Sequence, residues 1–202
     1  MPVSPEKKRQ THQRIVSTAA REFRQHGLNG IGVADLMRAA GLTHGGFYAH
    51  FASKDELIAE AITAARSEAG ERLHQSLEEH HDPTALQRFI KSYLSPLHVR
   101  SPAQGCLFAS LGGELGRQSE QGRAAATLRV EDHVEMLSAA IAAADEDESA
   151  GESRQQAMGL LAALVGAVVL ARAVDNEALS GEILRSIRQF IANGLAADTP
   201  GK

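Results

Sequence analysis

The sequence predicts an all-α fold of about nine helices in two parts. Three observations carry that prediction. Alanine and leucine dominate a chain of 202 residues that is 43% hydrophobic, only 4% aromatic and without Trp, a balance that favours packed helices over strands. Apolar residues recur at spacings of three and four, the period of a helix with one buried face. Proline is confined to the ends and to loops, so no long periodic segment is interrupted.

The elements follow in order. Helix one is expected from about Pro5 to His26, with Ile15, Val16, Ala19, Ala20 and Phe23 as its stripe and Gly27 as terminator. Lys7, Lys8 and Arg9 are expected in a loose basic arm. Residues 32–54, GVADLMRAAGLTHGGFYAHFASK, are the most informative stretch. Val33, Leu36, Met37 and Ala40 form one face of a short helix, and Gly41 supplies the left-handed backbone that a tight turn needs. A second short helix, roughly Thr43 to Phe51, turns Phe47 and Phe51 inward and leaves Thr43, His44, Gly46 and His50 outside. Ser53 and Glu56 then make a capping box for a helix expected to run to about His80. Asp82-Pro83 opens the next helix, which carries Leu86, Phe89, Ile90, Tyr93 and Leu94 and stops near Pro96. Further helices are expected at Gly105–Gly116, Glu120–Ala144, 153–175 and 180–196, with Asp145–Glu152 as a solvated acidic loop.

A short helix that buries one side and offers a small polar side is the usual build of a helix-turn-helix that reads DNA. Charge agrees. Residues 1–54 hold eight Lys/Arg against three acids, a net of +5, and the remainder carries a net of −9. A basic head on an acidic body suits a head that meets phosphate.

The run AAREFRQHGLNGIGVADLMRAAGL, the turn after it, the Phe47-Tyr48-x-His50-Phe51 ending and Ser53-Lys54-Asp55-Glu56-Leu57 together resemble the N-terminal DNA-binding domain of the TetR family of bacterial transcription regulators. The resemblance covers about residues 8–68, with the reading motif at 32–51. Residues 69–202 resemble the family in length and helical pattern, and so imply an effector-binding and dimerisation domain. The matching positions imply Thr43, His44 and Gly46 at base edges, Tyr48, His50 and Lys54 at phosphates, and Phe47 as support. Gly32, Val33, Arg38 and Gly45 complete the implied DNA-binding set. Two residues depart from the family pattern. Gly32 stands where a Thr or Ser cap is usual, so only backbone N–H groups remain for a phosphate there. His44 stands where Lys or Arg is common, and Gly45-Gly46 weakens the reading helix by about 1 kcal/mol per glycine relative to alanine.

In the second part, Phe89, Tyr93, Leu97, Cys106, Phe108, Leu111, Leu137, Leu161, Leu164, Val165 and Val168 are candidates to line an effector pocket. Periodicity does not distinguish such a pocket from a filled core. Cys106 follows Gly105 at an expected helix start, where the dipole favours a thiolate able to sense oxidants or electrophiles. The plain alternative is a small buried residue. One cysteine suits the cytoplasm and allows no intramolecular disulfide. The charged N-terminus does not read as a signal peptide. The charge-free run Ala157–Ala171 is shorter than the ~20 residues that cross a bilayer, and reads as a buried or interface helix. His80-His81 point to different sides of a helix, and no ligand spacing for a metal appears. No cofactor, no metal, no catalytic set and no membrane are expected.

The resulting expectation is a ligand-responsive DNA-binding transcription regulator: a homodimer through its last two helices, released as a repressor from a palindromic double-stranded operator by an unknown small molecule. The alternatives are a thiol-based sensor using Cys106, a cysteine-dependent enzyme and a helical ligand carrier.

Overall fold

A computed structural model describes residues 4–65, 70–71, 74–75, 84–143 and 150–197. Besides helical residues at 70–71 and 74–75, they include α1 (Pro5–His26), α2 (Val33–Ala39), a 3-10 helix (His44–Ala49), α3 (Lys54–Ala64), α4 (Ala85–Tyr93), α5 (Pro96–Arg100), a 3-10 turn (Pro102–Gln104), α6 (Leu107–Leu115), α7 (Glu120–Ala142), α8 (Ala150–Ala173) and α9 (Glu177–Ala197). They form two compact units. The first gathers the described residues up to Ala65 with Ser110–Arg129. The second gathers those of 66–109 and of 130–202. A single boundary near residue 68 therefore misses that 110–129 returns to the first unit.

In the first unit, Ser4 caps α1 by accepting from the Lys7 N–H, and Pro5 sits at the first helical position, where its missing donor is harmless. Lys7, Lys8 and Arg9 belong to α1 rather than to a loose arm, because this cap starts the helix before them. Ile15, Ala19, Phe23, Leu36, Met37, Phe47, Phe51, Leu57 and Ile62 close a small core. Gly27 ends α1 at φ +82°, and a Cβ there would lie 2.9 Å from the Glu114 carboxylate. After α2, the Gly41 N–H bonds to the Arg38 carbonyl and the Leu42 N–H to the Met37 carbonyl. Gly41 has φ +70°, so this is the double-bonded glycine turn that sends the chain sharply away from a helix.

The reading segment is a 3-10 helix, not the α-helix its spacing suggested. Thr43 gives it no side-chain cap, and Gly45-Gly46 contributes little helical preference. α3 has its capping box in a shifted form: Ser53 accepts from the Glu56 N–H, while Glu56 reaches back to the Ala52 N–H. α3 does not run to His80. It ends at Ala64, and the capping residue Ala65 is extended, its carbonyl accepting from the buried Arg129 guanidinium. The expected Leu73 and Leu77 positions, His80-His81 and the Asp82-Pro83 cap lie outside the described residues. So does most of the expected acidic loop, and α8 already begins at Ala150.

The second unit packs α4, α7, α8 and α9 around Phe89, Leu94, Leu137, Ile141, Leu160, Leu164, Val168 and Leu184. α5 was not foreseen, because Pro96 read as a stop. Ser95-Pro96 is in fact a start: Ser95 accepts from the His98 N–H and Pro96 takes the first helical position. α8 has 24 residues and is long and apolar enough to cross a membrane by length and composition alone, but its charge-free run 157–171 is shorter than a bilayer span and packs one face into the core, as the sequence reading expected. Ala157, Leu160, Leu161, Leu164, Ala167, Val168 and Ala171 are buried at helical spacing, which uses one face in the core.

Gly45 and Gly46 both have room for a methyl group, with no neighbour within 4 Å of a Cβ at Gly45 and an ordinary 3.6 Å contact at Gly46. Gly45→Ala and Gly46→Ala should each stabilise the head by about 0.4–1 kcal/mol. Amide hydrogen exchange of the unmodified protein should show 44–49 exchanging faster than α1, and the substitutions should slow it.

Candidate nucleic-acid interface and a buried polar knot

The reading segment presents a compact polar face. Thr43, His44, Gly45 and Arg38 are exposed, Gly46 and Val33 are half-buried, and Gly32 starts α2 without a side-chain cap. Tyr48 stands 68% exposed, its ring set edge-on to the buried Phe47 at 5.2 Å and facing His44 at 6.4 Å. The buried phenyl thus orients the exposed phenol. Arg38 pairs with Asp35 at 2.7 Å. Both are exposed, so that pair is weak and leaves the guanidinium able to change partner.

His50 is half-buried at the end of the 3-10 helix. Its Nδ1 is shut off from solvent and has no hydrogen-bond partner. The His12 ring lies 5.9 Å away, stacks on Phe51 at 4.5 Å and bonds to Glu60 at 2.6 Å. Burial lowers the His50 pKa, and His12 and Lys8 add to the effect.

Lys54 has a different surrounding from the one its place suggested. A cation in the first turn of a helix gains nothing from the dipole, and a DNA phosphate was one reason for it to be there. The reason found is internal: Nζ donates to the Leu28 carbonyl at 2.7 Å and to the Ile31 carbonyl at 2.8 Å. Burial lowers its pKa, while Asp55 and Glu114 oppose that. Glu114 also accepts from the Leu28 N–H at 3.1 Å. Sequence reasoning missed Glu114, because an acid on a helix with no local partner carries no signal. It missed His12 and Glu60 for the same reason.

The body candidates divide. Phe89, Tyr93, Cys106, Leu137, Leu161, Leu164 and Val168 are buried in one cluster, with Phe108 and Val165 packed at its margin. Leu97 is 70% exposed and lines nothing, because α5 turns it outward. Leu111 belongs to the first unit, not to the body. Around Cys106 lies a polar knot built by residues the sequence did not flag. The Cys106 N–H donates to His98 Nε2 at 2.9 Å, and His98 Nδ1 lies 2.8 Å from the Tyr93 carbonyl. Nε2 therefore accepts and Nδ1 carries the proton, which fixes the neutral tautomer. Arg172 donates to the carbonyls of His98 at 2.7 Å, Ala109 at 3.0 Å and Val99 at 3.1 Å. Gly105 has no alternative residue, since a Cβ would lie 2.6 Å from the His98 ring.

Burial lowers the His98 pKa, and Arg172 reinforces this against the Tyr93 carbonyl bond. Burial raises the Tyr93 pKa well above its usual value, with Cys106 adding to it and Arg172 opposing. The buried Tyr93 hydroxyl sits beside the Cys106 thiol without hydrogen-bond geometry to it, and has no other partner.

The comparisons with known proteins match this architecture. The family model described as "Bacterial regulatory proteins, tetR family" matches residues 15–61, and "Tetracyclin repressor-like, C-terminal domain" matches residues 83–187. The chain belongs to the TetR family of bacterial regulatory proteins. It is 30% identical to the uncharacterized HTH-type transcriptional regulator YxaF of Bacillus subtilis over 112 residues, which is 54% of this chain and 59% of YxaF. It thus spans little more than half of that relative's length. It is 27% identical to the HTH-type transcriptional repressor NemR of Escherichia coli over 168 residues, 80% of this chain and 84% of NemR. The solved structure of E. coli NemR in reduced form superposes with a TM-score of 0.74 at 24% identity, covering 91% of this chain and 97% of that one, a likeness of fold.

Three outcomes follow for this TetR-family chain. Tyr93→Phe removes an orphaned hydroxyl, so thermal unfolding should show it neutral or stabilised by up to about 1 kcal/mol. Lys54→Met should destabilise the head by about 1–2 kcal/mol in urea unfolding, because two carbonyls lose a charged donor at a partly exposed site. His98 and His50 both have folded pKa values below the unfolded 6.5, so the unfolded state binds more protons below that pH. Their contribution to stability should be level above pH 6.5 and be lost as pH drops beneath it, as equilibrium unfolding between about pH 5 and 8 would record.

Proposed function

We propose that the protein is a ligand-responsive transcription repressor: a cytoplasmic homodimer that holds a palindromic double-stranded operator until a small molecule in its body releases it. The observation that carries this reading is the exposed polar face of 43–50, set by the Gly41 turn and backed by buried Phe47 and Phe51. Thr43, His44 and the open backbone at Gly45-Gly46 would meet base edges. Tyr48, His50 and Arg38 would meet phosphates, with the α2 N-terminus at Gly32 and Val33 presenting backbone N–H groups. Lys54 supports the face from within.

Dimerisation through the last two helices has its own support. α8 and α9 pack together. They leave Met158, Val169, Leu170, Leu179 and Phe190 exposed, Phe190 at 69%. A second copy that covers this strip would remove the largest apolar exposure among the described residues of these helices. The effector reading rests on Tyr93: a buried hydroxyl without a partner amid Phe89, Leu137, Leu164 and Val168 suits a mostly apolar ligand with one hydrogen-bonding group.

A thiol-based response at Cys106 is a second reading, favoured by the Tyr93 hydroxyl beside that sulfur. A cysteine–histidine enzyme is not favoured. Both ring nitrogens of His98 are engaged by backbone, so the neighbouring histidine is not a free base for the thiol.

A gel shift with the intergenic DNA beside the gene tests the main reading. Wild type should bind, and affinity should fall more than tenfold between about 50 and 200 mM salt. Tyr48→Ala should weaken binding by about tenfold per head with the dimer intact by light scattering. Phe190→Asp should give monomers that no longer bind. No shift at low salt rejects the reading. Cys106→Ser with an unchanged response to an oxidant or electrophile rejects the thiol reading.

A further inference from the structure

We infer that His50 is a proton-dependent phosphate ligand, so that each head takes up a proton from solution when it closes on duplex DNA. The inference rests on the DNA-binding reading above and adds to it how that contact is regulated.

The geometry starts with Nδ1 of His50, which is buried and unpartnered. Only Nε2 is left to reach a ligand. In the neutral ring one nitrogen carries the single proton, and in the charged ring both do. A neutral His50 that donates from Nε2 leaves Nδ1 as a buried bare acceptor, whereas a charged His50 leaves Nδ1–H as a buried unpaired donor, so the free protein resists charging the ring. A charged His50 donates from Nε2 with a full charge, which a phosphate oxygen rewards far more than a neutral ring does. The charged form is opposed in the free protein. Lys8 and His12 of α1 face His50, and Glu60 of α3 is engaged by His12 rather than by His50. No carboxylate bonds to His50 among the described residues. A DNA phosphate would be the missing anion.

His12 fits the role of a brake. It is held in place twice, by Phe51 beneath it at 4.5 Å and by Glu60 at 2.6 Å. It therefore cannot swing away when His50 charges. The cluster keeps His50 neutral near pH 7 until a phosphate arrives. The binding equilibrium then reads protein plus DNA plus one proton per head going to the complex, and affinity must rise as pH falls between the bound and free values of the His50 pKa.

Isothermal titration of the full-length protein with a duplex of the intergenic DNA, at fixed ionic strength, tests this. At pH 7 the observed enthalpy should differ between phosphate and Tris buffers by an amount proportional to the protons taken up, up to one per head. Affinity from fluorescence anisotropy should rise by up to about tenfold per pH unit per head from pH 8 to pH 6. His50→Gln should bind more weakly and lose both the buffer dependence and the pH slope. His12→Gln should move the midpoint of the slope to higher pH. A wild-type enthalpy independent of buffer overturns the inference. So does a slope that survives in His50→Gln and vanishes in His44→Gln, which would give the proton to the exposed His44. Absence of binding at every pH overturns instead the DNA-binding reading on which it rests.

Discussion

A half-buried lysine on backbone carbonyls is the interaction the head depends on. The chain between α1 and α2 has to reverse within six residues, and that leaves carbonyls without helical partners. Lys54 satisfies two of them, at Leu28 and Ile31, from the first turn of α3. Glu114 then takes the Leu28 N–H from a helix sixty residues further on. One loop is thus gripped by a cation from one side and a carboxylate from the other. The grip fixes where α2 begins, α2 fixes the Gly41 turn, and the turn fixes the 3-10 segment. Gly27 belongs to the same device, because its positive φ and lack of a Cβ are what let the Glu114 carboxylate come so close.

The body repeats the logic with different groups. Arg172 holds three carbonyls, and His98 bridges the Tyr93 carbonyl to the Cys106 N–H. In both units a titratable side chain does the work of a cap. Such bonds are strong only while the charge or tautomer is right, so stability at these points is tied to pH. They also leave few groups idle. Among the groups of this knot, the Tyr93 hydroxyl is the one left without a hydrogen-bond partner, and an unpaired buried hydroxyl is costly to a structure with no use for it.

Much of this was legible in the sequence, for definable reasons. α1, α2, α6, α7 and α9 follow from apolar spacing with a cap or glycine at the end, all of them local signals. Phe47 and Phe51 read as inward and Tyr48 as outward for the same reason. What was not legible depends on partners distant in sequence. α3 stops at Ala64, and the carbonyl of the extended Ala65 beyond it is taken by Arg129. Lys54 points inward because Leu28 and Ile31 offer oxygens. Leu111 joins the head although its helix starts in the body. Ser95-Pro96 is a separate case, a local start signal read as a stop because proline carries both meanings.

The 3-10 form of the reading segment brings these points together. A glycine pair without an N-terminal cap gives a segment with little helical preference of its own, so its shape comes from what lies beneath it. Phe47 and Phe51 anchor one side, and the Gly41 turn anchors the start. The polar face is therefore narrow, with one threonine, one histidine and bare backbone for base edges. A face that small provides little direct readout. Most of the binding free energy must then come from phosphate contacts at its margins, and His50 is the margin residue whose charge the surrounding protein controls.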